Sequence, residues 1–550
     1  MTLPRLFLIG AVVALAGCGS RSVGEIDHEA ALAQRLSQPP AWAGDAVAWR
    51  ATRIAYARND GDLLWLGSAH PTRNAELLAA TLASARDEAL DPSRYDVRDA
   101  LALAPEHGVW PLRRYDVRAA AEADVRITYA AARYVHDLAY GTAPRDALGN
   151  GWVAARADNA AASTARLVQA ASRGDTQRLL RQAAPRHPQY ARLREALAHL
   201  RAVEANGGWL AVPEALKVKA GETDPGIEQV RARLVADGDL PAGSAGTMLD
   251  DTLQEALRRV QHRHGLAEDG VPGKSTLAAL NVPVSDRIRE IELAMERWRW
   301  LPRKLGERHV LVNIPAFELM AREHGRTALA MRVVTGRPYT PTPTFSDTME
   351  TVVFSPFWHV PPSIMANEVK PALREDPAYL AKKNMELVRN GEAVDPWSVD
   401  LEDPALRVRQ RPGAGNALGQ VKFLFPNRFD VYLHDTPQDS LFARSGLRSF
   451  SHGCIRVEQP QALAEWVLAG QEPWTTDAIA GAMQSGNERH VRLARKIPVH
   501  IVYQTAWVED DGTLRFLPDV YSHDARQVAL VPQLASPVAA GDVAIAEAAP

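Results

Sequence analysis

Residues 451–457 read Ser-His-Gly-Cys-Ile-Arg-Val, and Cys454 among them is the only cysteine beyond residue 18. A free thiol, with a pKa of about 8.5, is only slightly ionised at neutral pH, so a reactive cysteine needs a base or a local positive field. Tyr432-Leu433-His434-Asp435 ends a predicted strand 20 residues before Cys454, a length that lets a loop bring the chain back beside that strand. His452 lies two residues before Cys454, and in an extended segment that spacing puts both side chains on one face. On these grounds either imidazole can take the thiol proton. Gly453 leaves room for its own amide and that of Cys454 to meet a substrate carbonyl as an oxyanion hole. Arg456 falls on the face of Cys454, where it can hold a substrate carboxylate and favour the thiolate; an ion pair with Glu458 is the alternative. From Pro460 a helix is expected, with Ala462, Leu463, Trp466 and Val467 on its packed face.

The texture around this stretch is β-rich. His309 to Ile314, Ala330 to Thr335, Thr351 to Phe354 and Phe429 to Leu433 are short β-branched or aromatic runs bounded by Gly, Pro and Asn. Between the last two, some 60 residues from Pro361 to Gln420 read as partly helical and then loose, an insertion long enough to serve as a lid.

Upstream the chain is helical. Leu78, Leu82, Ala85 and Ala89 keep helical spacing up to Asp91-Pro92, and similar runs span Val117 to Leu138 and Ala191 to Val203. Further on, Leu253, Ala256, Leu257 and Val260 form one apolar face. Asp269-Gly270 signals a turn, and Ser275 is expected to cap a second helix. At 550 residues the chain exceeds one core. Its 46% hydrophobic and 23% charged residues suit folded domains, and a net charge of -3 gives no basic surface for nucleic acid.

The first residues carry Arg5 and an apolar run from Leu6 to Ala16, as in a secretory signal too short to span a membrane. Leu15-Ala16-Gly17-Cys18 resembles the bacterial lipobox, which implies lipidation of Cys18 and an anchor in the membrane. Gly19, in place of an aspartate, points to the outer membrane. An exported chain whose other cysteine is lipidated leaves Cys454 unpaired, which favours a chemical role for it.

Two resemblances follow from the motifs. Val260-Gln261, His264-Gly265-Leu266, Asp269-Gly270, Gly273, Thr276 and Ala279-Leu280-Asn281 resemble the small helical peptidoglycan-binding domain. His434 with Ser451-His452-Gly453-Cys454-Ile455-Arg456-Val457 resembles the L,D-transpeptidases, whose catalytic domain is called YkuD. Val334-Thr335-Gly336, Thr342-Pro343-Thr344-Phe345, Trp358-His359-Val360-Pro361 and Phe425-Pro426-Asn427 agree with the large periplasmic members.

The resemblance implies a multidomain chain: an α-helical scaffold, a small three-helix peptidoglycan-binding domain, and a mainly-β, sandwich-like catalytic domain with a partly helical insertion. The expected boundaries are a signal peptide over 1–18, a tether over 19–45, the scaffold over 46–240 and the binding domain over 241–290. The catalytic domain follows over 300–505 with its lid near 362–419, and then an extension over 506–550, disordered from about 531. It further implies Cys454 as nucleophile and His434 as base, oriented by a backbone carbonyl. Ser451, His452 and Gly453 would shape the site, and Arg456, Tyr432, Trp358 and Asn427 would contact substrate.

The implied reaction is cross-linking of peptidoglycan stem peptides through a Cys454 thioester, releasing D-alanine and joining two third-position residues. It needs no cofactor or metal, and other wall-synthesis proteins are possible partners. Water as acceptor would make the protein an L,D-carboxypeptidase; a silent enzyme domain would leave a wall-tethering lipoprotein. A zinc site of His434, His452 and Cys454 lacks accompanying ligand pairs. A papain-like hydrolase would place its histidine after the cysteine.

Overall fold

The computed structural model describes residues 28–531, apart from 60–61, 68–69, 104–115, 145–146, 148, 150, 153–158, 377, 396–397, 401 and 445. Cys18 and the tail after 531 lie outside the described residues. Two compact units emerge, one from residues up to 80 with 96–133 and 161–180, the other from 81–95, 134–160 and 181 onward. No helix among the described residues is long and apolar enough to cross a membrane.

The first unit is helical. Asp124 is its polar centre: fully buried, it accepts hydrogen bonds from the amides of Leu64, Trp65 and Leu66 and from the Tyr56 hydroxyl. One carboxylate thereby satisfies a non-helical turn that could not otherwise be buried. Residues 28–45, expected as part of a tether, include the helix His28–Leu36 with Leu32 buried. Trp42 there packs edge-on to Trp49 and Tyr129, so this stretch is anchored to the unit.

In the second unit, helices Gly226–Ala236, Asp251–Arg263 and Lys274–Leu280 share a core containing Leu253, Ala256, Leu257 and Val260. The Asp250 side chain caps the middle helix by accepting from the Leu253 amide. Gly273, not Ser275, stands at the N-cap of the third. Gln261 explains the spacing of the motif: its buried side-chain amide donates to Asp269 Oδ1, Val271 O and Thr276 Oγ1 and accepts from Gly270 N. One glutamine thus ties the turn to both helices, which accounts for the pattern through folding alone.

The β region has fifteen strands among the described residues: β1 (Arg308–Asn313), β2 (Glu318–Glu323), β3 (Arg326–Gly336), β4 (Phe345–Phe354), β5 (Trp358–His359), β6 (Met385–Arg389), β7 (Glu392–Val394), β8 (Leu406–Gln410), β9 (Val421–Leu424), β10 (Leu433–His434), β11 (Ser449–Ser451), β12 (Ile455–Val457), β13 (Arg489–Val502), β14 (Ala506–Val508) and β15 (Leu514–Phe516). Nine form one sheet in the order β11-β3-β12-β10-β9-β4-β13-β1-β2, and β2 also pairs with β3. That last pairing closes eight strands into a ring, so the domain is barrel-like rather than the expected sandwich. Alternating patterns mark a buried face but not which edges meet, and here the β2–β3 hairpin closes the ring and leaves β11 as the edge strand of this sheet. Val310, Val333, Val352, Phe423, Leu433, Ile455 and Val499 fill its core, where Leu463 and Val467 of helix Pro460–Leu468 also pack.

The insertion is a small folded body in its own right. Strands β5, β8, β6 and β7 form a second sheet, and Val360, Met365, Val369, Leu373, Leu380, Leu387 and Val408 make its core. Beyond the ring, β14 and β15 form a hairpin whose Phe516 receives Arg287 at 4.6 Å and stacks on His264 of the three-helix region.

Candidate active site

Strands β10 and β12 run parallel, with Leu433 opposite Ile455 and His434 opposite Arg456. Leu433 and Ile455 are fully buried in the core. Alternation therefore places the flanking Tyr432, His434, Cys454 and Arg456 on the other side of the sheet. The 20-residue return anticipated from sequence is thus a parallel crossover that brings the histidine strand beside the cysteine.

His434 is buried, and its Nδ1 lies 2.5 Å from the carbonyl oxygen of Asp435. A carbonyl only accepts, so Nδ1 carries the proton and Nε2 keeps its lone pair. Burial, with the nearby Arg456 guanidinium, pushes the His434 pKa down to about 3. Cys454 is half-buried; its Sγ sits 3.8 Å from Asp430 O and hydrogen-bonds to Tyr432. Burial pushes its thiol up, although Tyr432 and Arg456 pull the other way. With the thiol pushed up and the imidazole pushed down, both groups rest neutral near pH 7.

The orienting carbonyl is itself held. The Asp435 side chain turns away from His434 and accepts from the amides of Gln420 (2.8 Å) and Thr436 (2.6 Å). Gly419, at φ +62°, makes room for it: a Cβ there would stand 2.3 Å from Asp435 Cγ. Neither Gly419 nor the carbonyl bears a chemical signal in the sequence.

The segment before Cys454 is clamped from the loop after β3. Thr342 Oγ1 donates to Gly453 O at 2.8 Å and accepts from Gly336 N at 2.9 Å. Thr340 Oγ1 and the Arg337 amide both donate to Ser451 O. Ser451 Oγ in turn donates to Cys454 O and accepts from the Gly453 amide at 3.1 Å. That amide, expected in an oxyanion hole, is therefore already engaged, whereas the Cys454 amide meets no acceptor among the described residues. Thr340 and Thr342 carry no side-chain chemistry that marks them; Thr342 falls in the Thr342-Pro343-Thr344-Phe345 string and Thr340 in none.

Other expected residues fall differently. Gly453 takes φ +118°, which breaks the alternation and turns His452 outward, where its Nε2 meets Glu368 Oε1 of the insertion at 2.9 Å. Among the described residues His434, His452 and Cys454 do not gather as a metal-ligand set. Arg456 Nη1 donates to Gln438 at 2.9 Å, and Glu458 is taken by Arg332 instead. Asn427 spends its side chain on a turn, donating to Phe425 O and Val431 O and accepting from the amides of Phe429 and Val431. It acts as a turn former that aims Asp430 at the thiol; with Asp430 and Tyr432 it lines an open pocket of about 400 Å³. Trp358 pairs through β5 with Gln410 and packs, partly buried, on the insertion core.

This is the layout of a mainly-β domain, following a helical N-terminal region in sequence, with a tautomerically fixed imidazole at the end of one strand and a thiol just before the adjacent one. Three family models match the chain: "YkuD: L,D-transpeptidase catalytic domain" over residues 307–477, "Scaffold domain" over 50–197 and "Putative peptidoglycan binding domain" over 223–280. The chain therefore carries a YkuD L,D-transpeptidase catalytic domain together with a scaffold domain and a peptidoglycan-binding domain. The protein named "Putative L,D-transpeptidase" from Haemophilus influenzae is 35% identical over 225 residues, which cover 40% of this chain and 45% of that protein. The chain thus spans under half the length of that relative. An L,D-transpeptidase from Mycobacterium smegmatis is 15% identical with a TM-score of 0.19, covering 36% of this chain and 58% of its own. L,D-transpeptidase 3 from Mycobacterium tuberculosis is 15% identical with a TM-score of 0.19, covering 36% and 61%.

Proposed function

We propose that the protein is a cysteine-dependent L,D-transpeptidase that forms links between two third-position residues of peptidoglycan stems. The observation that carries this is the His434 Nδ1 bond to the Asp435 carbonyl, which leaves Nε2 free to act as base beside Cys454. In the first step the Cys454 sulfur attacks the carbonyl of the third stem residue while Nε2 takes the thiol proton. The bond to the terminal D-alanine breaks, its amine receives that proton, and a thioester remains. An amine of a second stem then displaces the sulfur, giving the cross-link and returning the thiol. The Cys454 amide supports the developing oxyanion. Tyr432 and Arg456 contact the donor.

In the same proposal residues 241–290 hold the wall, 46–240 act as scaffold and 300–505 as catalytic domain. The insertion near 362–419 covers the site through Glu368 and His452. Lipidated Cys18 anchors the protein in the periplasm to the outer membrane; finding it in inner-membrane fractions would overturn that placement. Mass spectrometry of products from disaccharide-tetrapeptide, with wild type and Cys454→Ala in parallel, tests the reaction. Cross-linked dimer from the wild type alone supports it. Tripeptide alone would instead mean an L,D-carboxypeptidase, and no product would mean a wall-tethering protein.

A further inference from the structure

Arg337 leaves β3 one residue after Gly336, and its amide donates to Ser451 O, so it is fixed to the segment that carries Cys454. Its guanidinium donates to the Tyr339 hydroxyl at 2.8 Å. Arg456 stands across the strand pair from His434 and donates only to the neutral Gln438 side chain. Both guanidinia are part-buried, and neither has a carboxylate partner among the described residues.

Among the nearby acids, Asp430 bears on Cys454 and Tyr432 and Asp439 on Asp435, with neither acting on Arg456, and three others are committed elsewhere. Glu458 takes the Arg332 amide and guanidinium, Glu368 takes His452, and Asp435 takes two backbone amides. Burial and the Arg337 charge both weaken the hold of Arg456 on its proton. Arg456 pairs with Val334 of β3, three residues before Arg337, so both side chains stem from one corner of the sheet, where a bound anion would offset their mutual repulsion.

Resting on the functional reading above, we infer that Arg337 and Arg456 together bind the free carboxylate of the donor's terminal residue. That carboxylate lies one residue beyond the carbonyl attacked by Cys454, so a clamp beside the sulfur would select donors that end there. Arg337 is then a specificity residue for the leaving group. Arg–carboxylate pairing supplies both charge and a planar fork that an amide cannot match.

The test compares disaccharide-tetrapeptide with its terminal carboxamide, following Cys454 acylation by intact-protein mass spectrometry. Wild type is expected to acylate about 10- to 100-fold more slowly with the amide, the range for a lost charge-assisted bond. Arg337→Met should slow the acid donor about 10-fold and the amide far less, and Arg337→Lys should restore part of the preference. Equal acylation of both donors by wild type would overturn the assignment. So would an equal loss on both donors in Arg337→Met, since that is what a merely structural role gives. Acylation with neither donor would overturn the functional reading itself.

Discussion

Thr342 holds the cysteine segment through a single hydroxyl, and replacing it with valine keeps the shape while removing both bonds. The side chain is 1% exposed, so water cannot replace the lost partners. Gly336 N–H and Gly453 C=O would each be left buried and unpaired, at about 1–3 kcal/mol per group. The combined loss is about 2–6 kcal/mol. For a domain of this size that lowers the melting temperature by at least about 4 °C. Because Gly453 precedes Cys454, the proposed nucleophile, the loosened carbonyl also lets that residue drift, and a shift of about 1 Å at reacting atoms can cost a hundredfold in rate. Circular-dichroism melting and the rate of Cys454 acylation are the assays. Thr342→Ser, which keeps the hydroxyl, should retain most of the rate. A Thr342→Val protein that melts within about 1 °C of wild type and acylates normally would refute the clamp.

Gly419→Ala should destabilise by more than about 1 kcal/mol, since an L-residue is strained at φ +62° and its Cβ would enter Asp435. It should also slow acylation by displacing the carbonyl that holds His434; an unchanged rate would separate Gly419 from catalysis. Alkylation of Cys454 by iodoacetamide should rise about tenfold per pH unit between pH 6 and 8, because burial raises the thiol pKa and His434 stays neutral. A plateau below pH 7 would reveal a preformed thiolate instead. His262 is held by Glu509 at 3.4 Å and Glu268 at 2.9 Å, and its pKa is pushed up to about 9. A folded-state pKa above the unfolded one gives stability that is full below about 6.5 and is lost as pH rises through about 9. The melting temperature should therefore fall between pH 6.5 and 9.5 in wild type, and fall less in His262→Gln.

Much of the site was legible because it rests on local rules. A strand ending in His434, a 20-residue return and a lone thiol are all readable spacings, and the parallel β10–β12 pair realises them. The helical face of Leu253, Ala256, Leu257 and Val260 was readable for the same reason. What escaped depends on backbone geometry or distant closure. Gly453 at φ +118° reverses the facing of His452, which period-two counting cannot foresee. Phe429 to Leu433 looked like a strand, yet Asn427 folds most of it into a turn with Asp430 at φ +53°, and only Leu433–His434 pairs. The orienting group for His434 is a main-chain carbonyl, common to every residue type. The ring closed by β2 and β3, and the separate core of the insertion, arise from contacts far apart in sequence.

The central claim is that Cys454 forms a thioester with His434 as its base. Wild type and His434→Ala mixed with disaccharide-tetrapeptide, quenched in acid and digested, would locate any adduct by mass. The expected result is a donor mass less D-alanine on the peptide containing Cys454 in wild type, and little or none in His434→Ala. An adduct on another residue, or equal labelling without His434, would contradict it.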